Sequence, residues 1–155
     1  MEELLLRQLR ELTEGERHPL PNLANAAALL WLSLGDINWA GFYLPCPGGL
    51  LLGPFQGKPA CIRIAGGKGV CGAALARGET LRVEDVHAFP GHIACDPASR
   101  SEIVIPLRSG GRVVALLDID SPLPGRFTPE DIPRLEAFAS LLAAACDWEK
   151  LKITE

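Results

Sequence analysis

Apolar residues recur at intervals of three and four positions in three segments, two near the beginning of the chain and one near its end. This spacing places apolar side chains on one face of an α-helix. The predicted helices cover Glu2–Thr13, about Pro21 to Leu34, and Thr128 or Pro133 to about Glu149. The side chains expected to face the core are Leu5, Leu6, Leu9, Leu12, Leu23, Ala27, Leu30, Trp31, Leu34, Leu135, Phe138, Leu142 and Ala145.

Between these helices, turn residues separate short apolar segments, and such segments predict β-strands. They are Asn38–Leu44, Leu50–Phe55, Ala60–Ile64, Thr80–Val83, Glu102–Arg108 and Arg112–Asp120. Pro45–Gly49 and Ser109–Gly111 have turn compositions, and the second favours a hairpin. A glycine-rich turn, Ala65–Gly69, precedes a short helix over Val70–Arg77. This order predicts an α+β fold with a mostly antiparallel central sheet and the N- and C-terminal helices packed on one face.

The composition fits one folded domain over residues 1–155, with 48% hydrophobic and 22% charged residues. A net charge of −4 argues against nucleic acid or an anionic membrane as a partner. The uncharged segment Leu20–Gly35 is too short to cross a bilayer. The N-terminus is acidic and amphipathic, unlike a signal peptide. We therefore expect a cytoplasmic protein.

Gly67–Gly72 matches G-x-G-x-x-G, a pattern that binds dinucleotide phosphates when it joins a strand to a helix. Glu84 lies near the acidic position expected downstream. The predicted helix is nevertheless about two turns long, too short for a crossover between parallel strands. A turn is the better interpretation, and we expect no dinucleotide or other cofactor.

The chain has five cysteines, an odd number, and none forms a C-x-x-C pair. Cys46, in a predicted turn, and Cys146, on a helix face, fit the ordinary role of small apolar residues. Cys95 lies in a long irregular loop, Glu84–Ser101, and long loops in compact domains are often functional. Asp96 and Pro97 could begin a helical turn there, whose dipole would lower the pKa of the Cys95 thiol.

Zinc binding is an alternative use of three of these cysteines, Cys61, Cys71 and Cys95, together with His87 and His92. Structural zinc sites usually take two ligands from one short knuckle, and this chain has no such knuckle. We therefore expect no metal.

Three acidic residues form the next candidate group. Asp118 and Asp120 alternate along a predicted strand and so share one face, whereas Leu117 and Ile119 take the other. Glu102 begins the partner strand of the same hairpin. A solvated sheet face would explain this pattern. The functional interpretation is a pocket for an ammonium group in which neighbouring carboxylates keep one acid protonated.

Four segments resemble the free methionine-(R)-sulfoxide reductase family, a catalytic branch of the GAF-domain fold. They are LGPFQGKPACIRI, GKGVCGAALARGET, VEDVHAFPGHIACDPASRSEIVIPL and LLDIDSP. The likeness extends roughly from Trp39 to the end of the last helix. It is specific, since three cysteines, the HIACD loop and the DIDSP strand occur in family order and spacing.

The resemblance implies a role for each matching residue. Cys95 would be the nucleophile, Cys61 the main resolving cysteine and Cys71 an alternative partner. Free methionine sulfoxide would be the substrate, and a dithiol such as thioredoxin the reductant. The substrate pocket would be lined by Glu102, Asp118, Asp120, Trp39 and Tyr43.

A non-catalytic GAF module that senses a small molecule or redox state is the alternative function. Glu149, near the end of the last predicted helix, is followed by six residues, so we expect no output domain for such a sensor. The sequence leaves the oligomeric state open, because the amphipathic N-terminal helix could pack on its own domain or on a second copy in a homodimer.

Overall fold

A computed structural model describes residues 3–93 and 95–153. The strands in these residues are β1 (Trp39–Cys46), β2 (Gly49–Gly57), β3 (Arg63–Ala65), β4 (Leu81–Val83), β5 (Ser101–Ser109) and β6 (Arg112–Ser121). The six strands form one antiparallel sheet in the order β3-β2-β1-β6-β5-β4. The helices are α1 (Leu4–Thr13), α2 (Pro19–Ser33), α3 (Gly69–Arg77) and α4 (Asp131–Ala145). Val86–Ala88 and Trp148–Lys150 form short 3-10 helices.

The sheet separates two apolar cores. Helices α1, α2 and α4 pack on one face, where Ala40, Phe42 and Leu44 of β1 are buried. Trp39 and Tyr43 of the same strand point to the opposite face, where α3 packs with Leu116. This alternation is the two-residue period of a strand. The predicted α+β class, with the terminal helices on one face, is confirmed.

Two predicted inward positions are wrong, since Trp31 is 37% exposed and Leu12 is 44% exposed. The buried stripe of α2 instead includes Leu23, Ala26 and Leu30. Leu34 and Ala145 are only half-buried, because α2 ends at Ser33 and Ala145 is the last residue of α4.

Helix boundaries differ from the predictions for local reasons. The predicted first residue of α1, Glu2, lies outside the described residues. Helix α2 begins at Pro19 because the Leu20 N–H donates to the His18 side chain, at 3.1 Å, and a proline is tolerated in a first turn. Helix α4 ends before Glu149. Trp148 lies in a separate 3-10 turn, and its indole N–H donates to the carbonyl of Ala143 in α4 at 3.0 Å.

Two cysteines lie close to, but not at, their predicted positions. Cys46 is the last residue of β1 and pairs with Gly49, so the turn is only Pro47-Gly48. Cys146 is buried immediately after α4. Among the described residues, no helix has both the length and the apolar character needed to cross a bilayer.

Candidate active site

A pocket lies on the sheet face that carries α3, opposite the terminal helices. Its floor is formed by β1, β5 and β6, and its rim by α3, the segment before β3 and the loop before β5. All eight predicted site residues except Cys61 line it, and Cys61 is bonded to one of them. Those lining residues are Trp39, Tyr43, Cys71, Cys95, Glu102, Asp118 and Asp120.

The three predicted acids meet on the pocket floor. Glu102 of β5 lies directly opposite Asp120 of β6, and Asp118 is two residues earlier on the same face. Glu102 and Asp118 are only 8% and 5% exposed. Leu117 and Ile119, at the alternate positions, are fully buried in the other core. The predicted clustering is therefore confirmed, and the solvated-face interpretation is wrong.

Burial raises the pKa of each of these three carboxyl groups well above its usual range. The charge of the neighbouring carboxylates adds to this effect, Asp120 acting on Asp118, for example. Among the described residues, Oδ1 of Asp118 and Oδ1 of Asp120 are buried without a hydrogen-bond partner. The floor therefore offers both protonated acids and unsatisfied acceptors.

A disulfide joins Cys61 to Cys95, with 5.7 Å between the two Cα atoms. Cys61 lies just before edge strand β3, and Cys95 lies in the loop that covers the pocket. The expected helical turn is instead an Asx turn, in which Ala98 N–H donates to Asp96 Oδ1 at 2.9 Å. The predicted helix dipole at Cys95 was wrong, because this turn does not continue into a helix.

A polar network ties the Cys95 loop to the acids. The Asn38 side-chain amide donates to Asp96 Oδ2 and to Ser99 Oγ, each at 3.0 Å. The Ser99 hydroxyl then reaches Asp120 Oδ2 at 3.4 Å. Sequence reasoning missed Asn38 and Ser99. The turn predicted at Asp96 and Pro97 lies close to Ser99 in sequence and could have drawn attention to it. No local pattern predicts that Asn38 contacts Asp96, which is 58 residues away in sequence.

Two aromatic residues of β1 form one wall of the pocket. Trp39 stacks on Phe55 with ring centroids 5.2 Å apart and on Tyr43 at 5.9 Å. The Trp39 indole N–H donates to the Lys58 carbonyl at 3.2 Å, and the Tyr43 hydroxyl donates to the Cys61 carbonyl at 2.8 Å. Burial raises the pKa of Tyr43, which therefore remains a donor. The wall thus also holds the segment that carries Cys61.

Cys71 lies in the first turn of α3 as a free, buried thiol. Its Sγ and one carboxylate oxygen each of Glu102 and Asp118 lie within 4.8 Å of one another. Burial, and then the charge of Asp118, raises the pKa of Cys71. The thiol is consequently held protonated beside the acids.

The chain is similar to proteins of known family over nearly its whole length. The family model of the GAF domain matches residues 4–146. The curated free methionine-R-sulfoxide reductase of Escherichia coli is 52% identical, over 94% of this chain and 90% of that protein. The Saccharomyces cerevisiae protein of the same name is 45% identical, over 94% and 85%.

Solved structures agree. The reduced form of fRMsr from Staphylococcus aureus superposes with a TM-score of 0.89, at 47% identity and with 92% of each chain covered. Free methionine-R-sulfoxide reductase from Neisseria meningitidis, in complex with its substrate, gives 0.88 at 44% identity, over 94% of this chain and 87% of that one. The chain belongs to the free methionine-R-sulfoxide reductase family. The predicted family and its GAF fold are confirmed.

Family membership agrees with the turn interpretation of Gly67–Gly72. Helix α3 has nine residues, and every pair of neighbouring strands in the described sheet is antiparallel. The described residues therefore contain no crossover between neighbouring parallel strands. A Cβ on Gly72 would come within 2.8 Å of the Gly67 backbone, and Gly67 itself has a φ of +75°. These glycines therefore serve a tight turn before α3. Among the residues that the structure describes, no side chain caps the first turn of α3 by a hydrogen bond, and Lys68, Gly69 and Val70 line the pocket.

The residue group considered for zinc does not form in this reductase fold. Cys61 and Cys95 are bonded to each other, and the His87 and His92 rings lie edge to face, 6.2 Å apart. His92 lines the pocket, and partial burial lowers its pKa. Of the described residues, the group close enough to share an ion is Cys71, Glu102 and Asp118.

Proposed function

We propose that this chain reduces free methionine-R-sulfoxide to methionine, with Cys95 as the nucleophile and Cys61 as the resolving cysteine. The carrying observation is the Cys61–Cys95 disulfide at the rim of a pocket whose floor is the buried acid cluster. A redox-active cysteine pair and a source of protons are the two requirements for removing a sulfoxide oxygen by thiol chemistry.

The reaction begins with attack of the Cys95 thiolate on the sulfoxide sulfur. A protonated carboxyl among Glu102, Asp118 and Asp120 donates to the sulfoxide oxygen, which leaves the substrate sulfur and is transferred to Cys95. The products are methionine and a Cys95 sulfenic acid. Cys61 then attacks the sulfenic sulfur, water leaves, and the disulfide forms. Two electrons pass from the cysteine pair to the substrate.

Charge explains the preference for a free amino acid. The unpartnered oxygens of Asp118 and Asp120 accept the substrate ammonium group, which methionine within a peptide lacks. The substrate carboxylate fits the opposite rim, where the uncapped first turn of α3 and the Lys68 side chain provide donors and positive charge. Both ends of the zwitterion are then matched.

The aromatic wall selects one of the two sulfoxide epimers. Trp39 and Tyr43 are held by stacking and by their hydrogen bonds to the Lys58 and Cys61 carbonyls. We place the substrate methyl group against this wall. With the ammonium group and the methyl group both fixed, only one configuration at sulfur directs its oxygen to the acids.

Cys71 has a secondary role in this proposal, as an alternative partner for the Cys95 sulfenic acid. Its raised pKa leaves little thiolate, so it reacts more slowly than Cys61. In Cys61→Ser we therefore expect one fast turnover and then a slow Cys71–Cys95 disulfide, detected by mass spectrometry of peptides. Cys95→Ser should lose turnover altogether, and full steady-state activity in that variant would contradict its assignment as nucleophile.

The remaining assignments complete the proposal. Thioredoxin reduces the disulfide by thiol–disulfide exchange, the protein works in the cytoplasm, and residues 1–155 form one catalytic domain. Exposed Leu20, Trp31 and Leu32 give α2 an uncharged outer surface compatible with a homodimer. Light scattering of the purified protein at several concentrations tests the dimer.

The decisive experiment is thioredoxin-coupled NADPH consumption with three substrates: free methionine-R-sulfoxide, the free S epimer and a peptide-bound sulfoxide. We expect turnover of the free R epimer alone. Absence of turnover with all three substrates, with the protein's thiols verified as reduced, would favour a ligand-sensing GAF module instead.

A further inference from the structure

An exposed isoleucine lies directly beside the disulfide. Ile62 follows Cys61 and is 67% exposed, immediately before edge strand β3. Among the described residues, the other exposed large apolar side chains lie on α1, on α2 and after β6. A single exposed apolar side chain is common on protein surfaces. Ile62 matters because of its place, since it adjoins a disulfide that must be reduced in every catalytic cycle.

The two sulfurs of the disulfide differ in what surrounds them. Cys95 lines the substrate pocket, whereas Cys61 does not. The Cys61 backbone is fixed by the hydrogen bond from Tyr43, and its chain neighbours Ile62 and Arg63 are exposed. Cys61 and Cys95 are both half-buried, so a protein reductant bound to the exposed residues that follow Cys61 would contact the chain beside Cys61 and outside the pocket.

Positive charge surrounds this approach. Lys58, Arg63 and Lys68 are exposed, and the two lysines line the pocket rim. Within the described part of the chain none of the three has an ion-pair partner. The whole protein carries a net charge of −4, so this local surplus is not a property of the general surface. It favours a partner with acidic groups around its thiols.

We propose that Lys58, Pro59, Ile62 and Arg63, here called the Ile62 face, dock the dithiol protein that recycles the enzyme. This inference rests on the proposed function. A donor thiolate attacks Sγ of Cys61, the Cys61–Cys95 bond breaks, and the electron pair leaves on Cys95. The second donor thiol then loses its proton, attacks the donor sulfur bonded to Cys61 and releases Cys61. The donor departs as a disulfide, two electrons have moved, and Cys95 is ready for substrate.

The test compares Ile62→Ser with a matched control, Leu123→Ser, whose side chain is 45% exposed and lies after β6. Oxidised protein is mixed with reduced thioredoxin, without sulfoxide, and disulfide reduction is timed by thiol alkylation and mass spectrometry. We expect the second-order rate constant to fall roughly tenfold in Ile62→Ser, as for loss of an apolar contact at an interface, and to stay unchanged in Leu123→Ser. Reduction by dithiothreitol should be equal in all three proteins.

A trapping experiment identifies the attacked sulfur. Thioredoxin that lacks its second active-site cysteine should form a mixed disulfide, and peptide mapping should locate it on Cys61. A mixed disulfide on Cys95, or equal thioredoxin rates in Ile62→Ser and the unaltered protein, would overturn the inference. So would an equal slowing with dithiothreitol, since the change would then reside in the disulfide itself. Because no sulfoxide is present, these results are independent of whether the chain turns over methionine sulfoxide.

Discussion

The buried carboxyl group of Asp118 lowers the stability of the folded protein. Its carboxyl is buried, one oxygen lacks a partner among the described residues, and burial raises its pKa. Asp118→Asn introduces a side chain that does not ionise, and it should therefore stabilise the protein while it weakens the reaction. At pH 8 we expect the free energy of unfolding to rise by roughly 1 to 3 kcal/mol, because ionisation of Asp118 stabilises the unfolded chain and the asparagine does not ionise. Urea denaturation provides the measurement.

The sign of the pH dependence follows from the raised pKa. Above the ordinary carboxyl pKa of about 4 the unfolded chain loses the Asp118 proton, whereas the folded protein keeps it to higher pH. The free energy of unfolding therefore decreases as pH rises through that window. The gain from Asp118→Asn should accordingly grow from pH 4 to pH 8. Glu79→Gln, at an exposed position, is the control and should show no such trend; a gain independent of pH would contradict the assignment.

The rate of the first chemical step should report the same acids. If a protonated carboxyl of Glu102, Asp118 or Asp120 donates to the sulfoxide oxygen, the rate must fall at alkaline pH as that proton is lost. Single-turnover measurements on reduced protein, from pH 6 to pH 10, should show this descending limb. Asp118→Asn and Asp120→Asn should each lower the rate and shift the limb, because each removes a neighbouring charge. A rate that only rises with pH would exclude the acids as proton donors.

The sequence predicts which residues of one strand share a face, but it does not predict which residues a loop brings into contact. The alternation of Asp118 and Asp120 with Leu117 and Ile119 predicts a shared face, because a strand has only two faces. The disulfide partner of Cys95 was available only through the family resemblance. Asn38 could not be found, since its contact with Asp96 depends on the path of an irregular loop.

At the scale of elements, Gly41 allows the aromatic wall to form. A Cβ at this position would come within 2.3 Å of the Phe55 Cβ and 2.8 Å of the Trp39 ring. Gly41→Ala should therefore force β1 and β2 apart and disturb the stack, with a loss of about 3 kcal/mol in the free energy of unfolding. Gly35→Ala is the matched control, because nothing lies within 4 Å of its Cβ position. Equal stabilities of the two variants would show that the strands adjust freely.

Elements were predicted better than their ends. Apolar periodicity located three helices, and apolar segments bounded by turn residues located six strands, because burial is a property of a whole segment. The ends depend on single hydrogen bonds, such as the one that begins α2 at His18. The exposure of Trp31 arises for a related reason, since the buried stripe of α2 is set by which helices and strands it contacts, and periodicity alone does not reveal them.

At the scale of the molecule, the disulfide links two segments separated by 34 residues in sequence. Closing such a loop restricts the unfolded chain and should stabilise the oxidised protein by roughly 3 to 4 kcal/mol. We expect the reduced protein to melt about 10 °C lower. Scanning calorimetry with and without dithiothreitol gives the difference, and Cys61→Ser should melt at one temperature in both conditions. A reduced form as stable as the oxidised one would mean that the loop is held equally well by its other contacts.

The sheet that separates the two cores also separates two kinds of substitution. Substitutions on the face covered by α1, α2 and α4 alter stability and surface while leaving the reacting groups in place, because those groups lie across one layer of backbone. A fluorophore attached to an exposed position of α1 should therefore leave the pocket open to substrate. The face covered by α1, α2 and α4 is therefore suited to attachment, whereas the opposite face must stay accessible to substrate.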